Sequence, residues 1–285
     1  MKVTFRDAKP EDAQQCGTIC FEAFRDIANR HNFPPDFPAP EVAIGLIEML
    51  INGPRFYGVV AELDGEIVGS NFLDERGEVV GLGPITVNVT GQNQGVGRLL
   101  MEHCINRTQE RGIQALRLLQ AAYHNRSLSL YTKLGFEVQD ILSTMQGSAI
   151  KQSVAGYSVR PAGEQDIEAC NFLCRQTHNH TRQGELQDGI AAGSARVVEQ
   201  DGAIRGYTSL LGFFGHTVTA DNDALKALIG EALEFQGPGF LLPSGNGEVM
   251  RWCLENGLKV VEQLTLMTTG EFQRPTTPYM PSILY

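Results

Sequence analysis

The chain has a single tryptophan and only six cysteines in 285 residues, and no two cysteines form a Cys-x-x-Cys pair. That absence excludes zinc ribbons and thioredoxin-like chemistry, which need closely spaced thiolates. Cys16/Cys20 and Cys170/Cys174 instead stand four apart, the spacing of one helix face, and are expected to be small buried residues with reduced thiols. No apolar run approaches the roughly eighteen residues of a membrane span. The N-terminus, Met1-Lys2-Val3-Thr4-Phe5-Arg6-Asp7, lacks the apolar region of a secretion signal. A cytoplasmic protein with no membrane partner is the expectation. Basic residues are in deficit: 23 Lys and Arg against 33 Asp and Glu give a net charge of −10. This argues against a nucleic-acid partner and mildly favours a cationic or neutral one. Histidine is scarce too. The only cluster is His178-Asn179-His180, which has no nearby third and fourth ligand. It is expected to be an exposed loop feature, and no metal is expected. With 42% hydrophobic and 20% charged residues the chain can bury the cores of two ordinary domains.

The most informative stretch is Ile85-Thr86-Val87-Asn88-Val89-Thr90-Gly91-Gln92-Asn93-Gln94-Gly95-Val96-Gly97-Arg98. A β-branched run passes through a polar turn into Gly-x-Gly and then into the helical pattern Arg98-Leu99-Leu100-Met101-Glu102-His103-Cys104-Ile105. Strand, tight turn and helix N-terminus in that order make an anion site of a kind that suits a pyrophosphate. The dinucleotide fingerprint would need a third glycine where Leu100 stands, and a P-loop would need Lys-Ser/Thr after the second glycine. Neither is present. Thirty residues on comes Asn125-Arg126-Ser127-Leu128-Ser129-Leu130-Tyr131-Thr132-Lys133-Leu134-Gly135-Phe136, a helix ended by glycine and followed by the strand Phe136-Glu137-Val138.

Gln92-Asn93-Gln94-Gly95-Val96-Gly97 resembles the (Gln/Arg)-x-x-Gly-x-(Gly/Ala) coenzyme A loop of the GNAT N-acetyltransferase superfamily. The Asn125–Phe136 stretch resembles that family's Asn…Ser/Ala…Leu-Tyr-x-x-x-Gly-Phe segment. The order and separation of the two elements make coincidence an unsatisfactory explanation.

The chain also repeats itself. Arg6-x-Ala8-x₃-Asp12-x₃-Cys16-x₃-Cys20 recurs as Arg160-x-Ala162-x₃-Asp166-x₃-Cys170-x₃-Cys174. Val60 to Gly69, around the Asp64-Gly65 hairpin turn, returns as Val197 to Gly206 around Asp201-Gly202, and Leu134-Gly135-Phe136 matches Asn256-Gly257-Leu258. A duplication follows, with shorter connections in the second copy. The element order is mixed α/β with an α+β mixed sheet. The resemblance implies two tandem GNAT-like domains, an acetyl-CoA-binding one at 1–147 and a degenerate one at 155–285. Opposite the glycine loop the second copy has Asp221-Asn222-Asp223, with no glycine and two carboxylates that would repel a pyrophosphate, though a carboxylate suits a helix cap. Cys253 stands where the first copy has Tyr131. No cofactor site is expected there.

What the resemblance implies for the first copy is transfer of an acetyl group from acetyl-CoA to a primary amine, a small molecule. Ile85 and Val87 would lie beside the thioester on a splayed strand. The amides of Gln94, Gly95, Val96, Gly97 and Arg98, behind Gln92, would hold the pyrophosphate, aided by the Arg98 charge. Asn125 and Ser127 would orient the pantetheine arm, and Tyr131 would give a proton to the departing thiolate. Two departures from the family pattern stand out. Its asparagine usually lies seven residues before the tyrosine, where this chain has His124, with Asn125 one place later. No carboxylate lies between Val79 and Val89 to serve as general base, which leaves Glu22, Asp26, Asp74, Glu75 and Glu78 open. A coenzyme A-binding regulatory or scaffold protein without turnover is the alternative. The acceptor is not identified, but the proline-rich connection from His31 to Pro40 occupies the family's usual acceptor wall. The apolar tail from Pro275 to Tyr285 is expected to dock on the body or on a second subunit, which leaves a homodimer open.

Overall fold

The computed structural model describes residues 3–92 and 94–285; Met1, Lys2 and Asn93 lie outside the described residues. The chain forms two compact units. Unit 1 comprises Met1–Glu75, Val79–Leu118 and Tyr123–Phe136, and unit 2 comprises Arg76–Glu78, Leu119–Ala122 and Glu137–Tyr285.

In unit 1 the order is β1 (Val3–Asp7), α1 (Ala13–His31), α2 (Pro40–Asn52), β2 (Phe56–Leu63), β3 (Glu66–Asp74), β4 (Val80–Leu82), β5 (Thr86–Val87), α3 (Val96–Glu110), β6 (Ala115–Ala121) and α4 (Asn125–Lys133). Strands β1 to β4 are antiparallel neighbours, whereas β6 runs parallel to β4. Asp64 and Gly65 both take positive φ, the requirement of a two-residue hairpin between β2 and β3. The i, i+4 pattern of α1 puts Cys16 and Cys20 fully inside beside Ile19 and Ala23. On α3, Leu100, Met101 and Cys104 are likewise buried. Burying a side chain such as Leu100 contributes about 1.5–3 kcal/mol relative to exposure, so α3 is fixed against the sheet by three of them.

Unit 2 continues with β7 (Glu137–Gln146), β8 (Ser158–Pro161), α5 (Ile167–His178), α6 (Gln183–Ala191), β9 (Arg196–Gln200), β10 (Ala203–Thr208), β11 (Thr217–Thr219), α7 (Asn222–Glu231), β12 (Phe240–Pro243), α8 (Gly247–Glu255), β13 (Lys259–Gly270) and β14 (Tyr279–Met280). Here the strand order departs from chain order. The end of β6 neighbours β13, which pairs along its length with β7, and β7 pairs in turn with β12. Strand β7, at the end of the first repeat in sequence, therefore packs within unit 2.

The duplication is visible atom by atom. Arg6 bonds Asp12 and Glu62 at 2.7 Å each, and Arg160 bonds Asp166 and Glu199 at the same distances. Asp12 accepts the Lys9 amide as Asp166 accepts that of Gly163. The arginine holds each of these carboxyls below the usual carboxylate range. Helices α1 and α5 both end on a left-handed asparagine, Asn32 and Asn179. All six cysteines are buried free thiols, and for Cys16, Cys20, Cys170 and Cys174 this is what their i, i+4 spacing predicts.

The apolar tail docks within unit 2, one of the two places expected for it, and the burial of a histidine pair beneath it was out of reach of the sequence. His178 and His180 are not exposed; they are 2% and 4% accessible, with only Asn179 between them facing out. The tail covers them: the Tyr279 ring lies edge-on to His178, and the Tyr285 hydroxyl reaches His180 at 3.3 Å. The same tail supplies β14, which pairs with the edge of β11 that faces away from β10 and packs against β12.

Candidate active site

The site in unit 1 begins where two strands part. β4 pairs with β6 at Val80↔Leu116 and Gly81↔Arg117. Beyond Gly81 the chain stays with β3 instead, through Ser70↔Thr86, Gly69↔Val87 and the Asn88 amide on Val68. β5 lies so close to β3 that a Cβ on Gly69 would stand 2.6 Å from the Thr86 carbonyl oxygen. Residues 83–87, including Ile85 and Val87, are thus anchored along one edge, and the other edge opens where β6 diverges. A splayed pair of this kind exposes backbone N–H and C=O groups that an extended ligand can use.

After β5 the chain forms one 3₁₀ turn, Val89–Gly91, capped by the Asn88 side chain, which accepts the Thr90 amide. Gly95 then starts α3 at φ +85, a left-handed value that favours glycine. The Val96 side chain turns into the core, so only its amide faces outward with those of the first helical turn. Gly97 leaves the turn unobstructed; its nearest neighbour would be Val87 Cγ2, 3.6 Å from a Cβ. Gln94 is exposed. The Arg98 guanidinium is paired with Glu102 at 2.8 Å on the outer face of α3.

The second motif folds against the first. The Gln92 side chain donates to the Val87 carbonyl at 3.4 Å and accepts from Arg126 in the first turn of α4 at 3.2 Å. Arg126, which the sequence did not single out, therefore places a cation beside the glycine loop; only its position next to Asn125 could have signalled it. Asn125 itself is exposed, its carbonyl accepting the Ser129 hydroxyl. His124, one place earlier, is the residue that turns inward. Its Nδ1 lies 2.5 Å from the Ser127 hydroxyl. Burial, with Arg126, His31 and Arg30 nearby, pushes the imidazole down to about 4. Burial pushes the Tyr131 phenol up to about 12, with the Ser127 hydroxyl acting weakly in the other direction.

The His31–Pro40 connection reaches the same helix end. Phe33 stacks on Tyr123 at 4.0 Å, and the His31 ring lies 5.3 Å from Tyr123 and 6.4 Å from His124. Asp36 in that connection is pushed up to about 6 by burial. Among the carboxylates left open as bases, Asp26 pairs with Arg30, Glu75 pairs with Arg107 and Arg111, and Glu78, in unit 2, bonds Thr181 and Arg175. Glu22 is exposed and Asp74 buried. A groove of about 830 Å³ between α5 and α6 of unit 2 holds neither motif. Among the described residues no group of three or more His, Cys, Asp or Glu side chains could hold a metal ion. No described helix is long and apolar enough to cross a membrane.

In unit 2 the corresponding helix start is a cap. Asp221 accepts the Ala224 amide at 2.8 Å, and also bonds Arg205 and the Tyr157 hydroxyl. Replacing Asp221 with Ala is expected to cost about 0.5–2 kcal/mol, the usual worth of a helix cap, measured by urea unfolding. Unchanged stability would remove the cap from the account of this helix. Helix α8 repeats α4 in length and entry, but carries Asn246, Val249 and Cys253 where α4 has His124, Ser127 and Tyr131.

Residues 21–136 match the profile of the acetyltransferase (GNAT) family. They are a GNAT acetyltransferase domain. Solved structures extend the likeness of fold to the whole chain. A Pyrococcus horikoshii protein assigned as an acetyltransferase superposes with a TM-score of 0.72 at 18% identity, over 94% of this chain and 89% of that one. A GCN5-related N-acetyltransferase from Sphaerobacter thermophilus gives 0.62 at 15% identity, over 95% and 96%. A tandem GNAT protein from the clavulanic acid biosynthesis pathway gives 0.58 at 14% identity, over 94% and 98%. The fold is thus mixed α/β of the tandem GNAT type. No curated protein matches the sequence closely enough to count as a relative.

Proposed function

We propose that the chain is an N-acetyltransferase that moves the acetyl group of acetyl-CoA to a primary amine on a small molecule, with its chemistry in the first repeat, 1–147. The observation that supports this best is the Gln92–Arg126 hydrogen bond, because it joins the glycine loop to the helix bearing Tyr131. The amides of Gln94, Gly95, Val96, Gly97 and Arg98 would bind the pyrophosphate at the start of α3. Arg126 takes the cationic role more readily than Arg98, whose charge is engaged by Glu102. Ile85 and Val87 would offer backbone groups to the pantetheine arm and polarise the thioester carbonyl, and Asn125 and Ser127 would orient the arm. Tyr131 would protonate the leaving thiolate. A phenol raised by burial keeps its proton at neutral pH and is available as an acid.

The second repeat, 155–285, is proposed to hold no cofactor. In unit 2 the edge of β11 that a pantetheine arm would need is taken by β14, and Asp221 and Asp223 stand at the start of α7. A thiol-release assay with acetyl-CoA and a panel of primary amines (an alkylamine, an arylamine, a free amino acid and an amino sugar) tests the activity. Free coenzyme A should appear with at least one of them. Tight acetyl-CoA binding with no release on any amine would favour the regulatory or scaffold reading.

A further inference from the structure

The two repeats differ in how their first two helices meet. In unit 1, Gly17 of α1 lies so close to α2 that a Cβ on it would collide with the Ile44 backbone, and the two helices pack closely. Only glycine permits an approach of this kind. Counted from the repeated cysteines, Asn171 of α5 takes the place of Gly17, and Phe172 that of Thr18. The Asn171 amide reaches across to α6, where its Nδ2 donates to Gln183 at 2.8 Å, and α5 and α6 touch only sparsely. A side chain thus stands where the first repeat has backbone contact. The groove of about 830 Å³ lies between these separated helices, within the roughly 300–1,000 Å³ of small-molecule sites.

Phe172 lines the groove and is 61% accessible, with Ile167 and Ile190 adding apolar surface to the same lining. Glu164, in the 3₁₀ turn before α5, and Glu168, one turn later, line it too. Among the described residues neither carboxylate has an ion-pair partner. Arg175, the cation of the lining, is paired with Glu78 at 3.3 Å, so the groove is left with negative charge. The Asn171 Oδ1 atom is shut off from solvent and, among the described residues, has no hydrogen-bond partner. An N–H donor is what that wall lacks. An exposed aromatic ring, unpaired carboxylates and an acceptor without a donor are the groups that hold an organic cation. We propose that the α5–α6 groove binds a small organic cation, with its ammonium group at Glu164 and Glu168 and its apolar stem against Phe172. The site is independent of acetyl transfer by the first repeat. It gives the second repeat, whose cofactor loop is replaced by the Asp221 cap, a ligand of its own.

The probe is phenethylammonium, with 2-phenylethanol and phenylacetate as neutral and anionic counterparts of similar size. Binding to the full chain is followed at the Ile167 and Ile190 methyl signals in carbon-edited proton spectra, which report on this groove and not on the glycine loop. The cation should shift both signals saturably with a Kd of about 1 mM, in keeping with so small a probe. The alcohol should bind at least about fivefold more weakly, and phenylacetate more weakly still. Phe172→Ala and Glu168→Gln should each weaken the cation by about threefold or more. Both side chains are exposed, so both variants should keep the wild-type circular dichroism. High salt should weaken the cation and spare the alcohol. Ile167 and Ile190 signals unmoved by about 20 mM cation, whatever shifts elsewhere, overturn the site. Equal affinity for all three probes makes the groove a bare apolar surface and overturns the assignment of a cation. Tighter binding of phenylacetate gives the groove to Arg175 and overturns it as well.

Discussion

Gly97→Glu is expected to abolish acetyl-CoA binding without unfolding the protein. Gly97 lies in the first turn of α3, where amides are free of helical partners and the helix dipole favours an anion. A Cβ at this position makes only ordinary contact with Val87, so Gly97→Ala should fold and bind within a few-fold of wild type. Glutamate adds the same backbone and a negative charge. Two unit charges about 4 Å apart at an effective dielectric constant of about 20 repel by about 4 kcal/mol, close to a thousandfold in affinity. Calorimetry of acetyl-CoA binding, beside circular dichroism of both variants, decides the matter. Wild-type affinity in Gly97→Glu would put the cofactor elsewhere in the molecule.

Tyr131→Phe should lower kcat by roughly 100- to 10,000-fold, the usual worth of a positioned acid, with acetyl-CoA affinity little changed. The ring packs beside Phe136 with centroids 6.3 Å apart, and phenylalanine keeps that packing. What is lost is the hydroxyl alone. Single-turnover rates are the proper comparison because slow product release hides a change in the chemical step. An unchanged single-turnover rate would make Tyr131 a core aromatic and no more.

The parts of this molecule that were legible in the sequence are those set by neighbours along the chain. Gly95 is needed for a left-handed helix start, Asp64-Gly65 and Asp201-Gly202 for tight hairpins, and Cys16/Cys20 and Cys170/Cys174 for a buried helix face. The repeated Arg-Asp-Glu ion-pair networks were half visible: Arg6, Asp12, Arg160 and Asp166 belong to the repeat, and Glu62 and Glu199 to the hairpins that follow it. What stayed hidden depends on long-range pairing. Nothing in the composition of β13 says that it lies beside β7, because an alternating strand fits any complementary edge. The burial of His178 and His180 depends on a tail about a hundred residues away, and a polar His-Asn-His segment has no signal for that. At the site, the one-residue question between His124 and Asn125 turned on where α4 begins. With His124 at the helix cap and Asn125 in the first turn, only the histidine faces Ser127.

The central claim is that one repeat binds acetyl-CoA and the other does not. Isothermal titration of the full-length chain with acetyl-CoA tests it most directly, since stoichiometry is independent of the acceptor. The account predicts one site per chain in wild type and none in Gly97→Glu. Two sites per chain would mean that the tail strand β14 and the Asp221 cap leave room for a second cofactor; no site in wild type would contradict the reading of the glycine loop itself.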